Sequence, residues 1–231
     1  IAMAGVIGII RSWDIIKSAV GLASRELRGN TENVVRNVKR TQRDLSMKFI
    51  AIACIATLIL IFLFFYLGVI HTITQAVIAF IVVSVIAFLF TTVAANAIAI
   101  VGTNPVSGMT LMTLILASVI LVAVGLTGTS GMVAALIIGG VVCTALSMAG
   151  GFITDLKIGY WLGSTPAKQE TWKFLGTLVS AATVGGVIMI LNDTYGFTSE
   201  NGLAAPQANA MAAVIEPLMS GKGAPWLLYG I

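Results

Sequence analysis

Two stretches of this chain combine residue types that can do chemistry. The first is Gly150 to Gln169, GGFITDLKIGYWLGSTPAKQ, in which Asp155 and Lys157 follow directly on a charge-free apolar run. A charge near a bilayer core is costly, so an acid and a base there mark either a polar pathway through protein or a segment at the membrane surface. The second is Gly102-Thr-Asn-Pro-Val-Ser-Gly108, two glycines around Asn104-Pro105. Proline lacks an N–H and disfavours helix at the residue before it, so the backbone has to unwind there. Interrupted membrane helices expose carbonyls and half-helix ends that bind solutes and ions, which makes Thr103, Asn104 and Ser107 candidates for lining a pathway. An ordinary turn between two helices would use the same residues, and that alternative stays open.

If the segment from Gly151 to Gly163 is helical, Gly151, Asp155, Gly159 and Gly163 recur every four residues and share one face, which allows close approach to a neighbouring helix. Asp155 then faces protein. Lys157 points elsewhere, roughly with Trp161, as a long cation and an aromatic do when anchored at a membrane interface. A helical salt bridge between Asp155 and Lys157 is excluded, because it needs a spacing of three or four. Depth limits the pathway reading: the apolar run Met132 to Met148 spans about 26 Å as helix, leaving Asp155 near the boundary.

Other chemistries find no support. The single histidine, His71, falls in a short turn, the serines lack a nucleophile-elbow setting, and neither a P-loop nor a dinucleotide glycine pattern is present. Cys54 and Cys143 sit in apolar runs without CxxC or Cys/His spacing, so neither a disulfide framework nor a metal site is expected. We expect no enzyme activity, no cofactor and no metal.

These residues must be positioned by membrane helices. The 231 residues are 58% hydrophobic and 10% charged, with mean hydropathy +1.02, whereas roughly a quarter of residues are charged in soluble domains. Apolar runs cover 49–70, 73–101, 109–126, 132–148 and 172–191, with another starting at Trp226. Residues 1–10 read as the end of a truncated helix, 11–48 as a basic amphipathic linker, and 49–231 as a transmembrane region of about five complete spans plus a truncated one. The expected fold is all-α: a polytopic transmembrane bundle with broken or re-entrant helices, a fragment of a larger protein. The segment from Asn192 to Pro225 is too long for a tight turn; it is either a surface loop or re-entrant, and Gln207 and Glu216 are its polar residues of note.

Charge orients the spans. Arg11 to Lys48 carries nine Lys/Arg against four Asp/Glu, and alternating the spans puts Lys157, Lys168 and Lys173 on the same side, twelve of the 13 basic residues in all. The positive-inside rule makes 11–48 and 155–173 cytoplasmic. The linker is either a solvated connection or a contact for anionic lipid. Topology explains the basic charge, so nucleic acid is not an expected partner.

Taken together, GTNPVSGMT at 102–110, AGGFITDLKIGYWLGSTPAKQ at 149–169 and APQANAMA at 205–212, in this order, resemble the oligopeptide transporter (OPT) family in its prokaryotic form. The resemblance covers the chain from about Phe49 onward and is most specific at Asp155-Leu-Lys157, Gly159, Gly163 and Thr165-Pro166. It marks Asn104, Pro105, Ser107, Gly108, Asp155, Lys157, Gly159, Pro166, Pro206 and Gln207 as motif positions. It implies a proton-coupled secondary transporter of the inner membrane that imports short peptides. Metal chelates, as in the yellow-stripe-like branch, are the alternative substrate, and a non-catalytic membrane subunit of a larger complex is the alternative role. Implied partners are a peptide-like solute, protons, the lipid bilayer and, as an open alternative, further copies of the chain. The expected pathway residues are Thr103, Asn104, Ser107, Asp155 and Gln207. Gly102, Pro105, Gly108, Gly151, Lys157, Gly159, Gly163, Pro166 and Pro206 have structural roles.

Overall fold

The computed structural model describes residues 13, 17–18, 21, 24, 39–70, 72–103, 106–197 and 206–220. Among the described residues, six helices follow a short 3-10 turn at Arg40–Gln42: α1 Met47–Phe64, continued by a π-helical turn Phe65–Val69, α2 Ile73–Val101, α3 Val106–Ala123, α4 Gly128–Leu162, α5 Pro166–Tyr195 and α6 Pro206–Met219. No strand occurs among the described residues. The chain is an all-α membrane protein, with α1, α2, α4 and α5 each long and apolar enough to cross a bilayer.

The expected runs 49–70 and 73–101 coincide with α1 and α2. The fourth apolar run ends at Met148, and α4 continues past it to Leu162, so the segment read conditionally as helical from Gly151 is helical up to Leu162. At 35 residues it is ~52 Å long against ~30 Å of hydrocarbon, so a good part of it reaches beyond the apolar layer or tilts strongly. Nothing between Met148 and Leu162 breaks a helix, and glycines are tolerated where other helices pack. Between α2 and α3 the interruption falls where expected: Gly102 takes φ +78° and its N–H bonds the Ile98 carbonyl, which closes α2. Asn104 and Pro105 lie outside the described residues, as does the side chain of Ser107. The expected loop or re-entrant segment after Asn192 contains a helix, α6, with Pro206 at its start and Pro217 near its end.

Two compact units partition the chain. One comprises 1–31, 46–154 and 211–231; the other, 32–45 and 155–210. The first holds the core. Its buried positions recur at helical spacing: Thr110, Thr113, Leu114, Ala117, Ser118 and Leu121 on α3, and Ala135, Ile138, Val142 and Leu146 on α4. Ala76, Ala79, Ala94, Ala117, Ala134 and Ala135 are fully enclosed, as expected where packing between small residues, not water exclusion, joins helices. The Cβ that Gly139 lacks would overlap the buried Leu114 side chain, so α3 and α4 approach closely there. By contrast, no residue of α1 or α5 is buried among those described.

Candidate functional site

The second unit gathers most of the chemistry-bearing residues around one helical hairpin. α4 stops because Gly163 adopts φ +68°, which L side chains rarely take. The Ser164 N–H bonds the Gly159 carbonyl and the Gly163 N–H bonds the Tyr160 carbonyl, the paired bonds of a Schellman end. Thr165 is extended, and Pro166, with φ preset and no N–H to leave unmet, opens α5. A three-residue link, Gly163 to Thr165, thus turns α4 back along α5.

Residues equidistant from Ser164 face each other across this hairpin. Lys173 Nζ on α5 donates to Asp155 Oδ2 on α4 at 2.5 Å, an ion pair in which Lys173 is 21% exposed and Asp155 56%. One step nearer the turn, the Gln169 side-chain amide lies over Gly159, where a Cβ would collide with it. Asp155 therefore faces protein, as its glycine spacing suggested, though it remains half open to solvent. Lys157 stands apart, with Nζ 6.0 Å from the ring centre of Trp161. It thus shares a side of α4 with Trp161, as the spacing suggested. Gly163 departs from the expectation: it is not part of a helical stripe but the residue that ends the helix. Gly151 is exposed.

A short strap, residues 39–45, is bonded to the hairpin at three points. Arg40 Nη2 donates to the Gly163 carbonyl at 3.1 Å, Ala167 N–H donates to the Arg43 carbonyl at 3.0 Å, and Leu45 N–H donates to Glu170 Oε2 at 3.0 Å. The strap thereby caps α5 from outside: Thr165 makes no side-chain cap bond, and the Arg43 carbonyl satisfies an N–H of the first turn instead. Gly163→Val should lose both features, because a β-branched residue at positive φ costs about 1–2 kcal/mol and shifts the carbonyl that holds Arg40. Thermal unfolding of the detergent-solubilised protein checks this, and Gly163→Asn, which tolerates the left-handed region, should fall less than half as far.

Of the expected pathway residues, Thr103 and Gln207 are exposed, and Asn104 and the Ser107 side chain lie outside the described residues. Sequence reasoning also missed the polar face of α3, where Thr110, Thr113 and Ser118 are buried. Thr113 Oγ1 bonds the Met109 carbonyl, while the Ser118 hydroxyl oxygen has no partner among the described residues. Their spacing of three and five along one helix was the available signal.

The sequence profile of the family described as OPT oligopeptide transporter protein matches residues 1–231. This chain belongs to that family. A Haemophilus influenzae protein, provisionally named an oligopeptide transporter, is 27% identical over 140 residues, covering 52% of this chain and 22% of the relative. The chain thus matches about a fifth of that OPT protein's length. No solved structure matches it.

Proposed function

We propose that this chain is part of a secondary active transporter of the prokaryotic cytoplasmic (inner) membrane, importing short oligopeptides together with protons. The observation that carries the reading is the family match along all 231 residues. Four apolar helices of spanning length agree with it, and alternating access around helix interruptions is how such transporters work. In this reading the break after Gly102 and the Asp155–Lys173 pair belong to the moving machinery.

The strap supports the orientation. Its three bonds hold residues 40–45 against 163–170, so both segments face the same side of the membrane, and the basic charge makes that side cytoplasmic. The chain between Leu45 and Gly163 then crosses an even number of times. Three of its helices are long and apolar enough to span, and in this reading α3, at 18 residues ~27 Å long, supplies the fourth crossing.

Uptake of labelled tetrapeptides by vesicles containing the full-length protein tests the proposal. Accumulation should rise when the outside is made acidic and fall when protonophore is added. Accumulation of iron or nickel chelates with no peptide uptake would overturn the substrate assignment, and indifference to the gradient would overturn the coupling.

A further inference from the structure

We propose that the strap and the α4–α5 turn together form a binding surface for the headgroups of anionic phospholipid. Residues 39–45 and 155–173 contain six basic side chains and three acidic ones, net +3. Two of the acids are engaged: Asp155 by Lys173, and Glu170 by the Leu45 N–H. Lys39, Arg40, Arg43, Lys157 and Lys168 are all exposed, and none forms a salt bridge among the described residues. The three strap bonds place Arg40 at Gly163 and Arg43 at Ala167, next to Lys168, so cations far apart in sequence converge on one turn.

Aromatic and apolar residues at the same place identify the partner. Trp161 is 74% exposed and Trp172 68%, with Tyr160 and Leu162 equally open beside them. Amphipathic rings of this kind settle at headgroup level, and Lys157 projecting past Trp161 continues the pattern. A soluble anion would be served by the cations alone and would leave these rings in water. A phospholipid uses both, with phosphate on the arginines and lysines and its glycerol region against Trp161 and Leu162. The α5 N-terminus is not itself the site, because the Arg43 carbonyl occupies a donor of its first turn. This assignment is independent of what the protein transports.

Native mass spectrometry of the full-length protein taken from mixed phosphatidylcholine and phosphatidylglycerol vesicles tests it. The wild type should retain phosphatidylglycerol preferentially, and the preference should decline as salt rises. The triple variant Arg43→Gln/Lys157→Gln/Lys168→Gln leaves the strap bonds intact, since Arg43 uses only its backbone there. It should lose roughly a hundredfold in relative affinity, given the contribution of each basic residue near an anionic surface. Replacing Trp161 and Trp172 by alanine should weaken phosphatidylglycerol retention as well. Retention in proportion to lipid supply, an unchanged preference in the triple variant, or displacement by water-soluble glycerophosphate as effective as by lipid would each overturn the proposal. The salt titration of the wild type decides the matter even if a variant fails to fold.

Discussion

Gly139→Ala is expected to lower stability by about 1–3 kcal/mol, the usual cost of adding a methyl group to a filled core. The added carbon would occupy the space of the Leu114 side chain, which is 1% exposed and cannot swing aside without disturbing its own neighbours. Because the clash is between one pair of residues, it should disappear when the partner is trimmed. Leu114→Ala alone should cost about 2–5 kcal/mol through the cavity it leaves. In that background Gly139→Ala should cost close to nothing. A double-mutant cycle by thermal unfolding in detergent reads this directly, and additive effects would show that α3 and α4 do not approach each other at this point.

This contact shows what hydropathy can and cannot convey about the fold. Residues 73–101 were readable as a helix because apolarity and helicity end together there, at a glycine free to adopt positive φ. In α4 they part. Hydropathy falls after Met148, whereas helicity continues for fourteen residues until Gly163, so only the glycine spacing, not hydropathy, carried the helix to its end. The stop and restart at Gly163 and Pro166 were both visible in the sequence as a helix-ending glycine and a first-turn proline. The partner of Asp155 was visible in principle too. Reflecting the sequence about Ser164 sets 155 opposite 173 and 159 opposite 169, the pairs that meet in the structure. That step needs the turn to be placed first, and reading Gly163 as part of a helical stripe hid it. The strap could not be read at all. Two of its three bonds use backbone atoms of Arg43 and Leu45, whose availability no side-chain pattern announces.

The consequence for mechanism is that Asp155 and Lys173 must be tested as a pair. Asp155→Asn is expected to abolish the gradient-dependent part of peptide uptake while changing stability by only about 0.2–1 kcal/mol, since solvent screens a carboxylate this exposed. A pair that merely clasped α4 to α5 would behave differently: any change that kept opposite charges on the two helices would keep its function. The exchange Asp155→Lys/Lys173→Asp separates the two roles. It should restore the stability lost by either single substitution, because the attraction across the hairpin is the same in both directions. Under the proton-coupled transport proposed above, it should not restore gradient-driven uptake, because the carboxylate would then sit on α5 and not on α4. Recovery of both properties in the exchanged protein would make the pair a clasp. Gradient-dependent uptake undiminished in Asp155→Asn would remove it from proton coupling altogether.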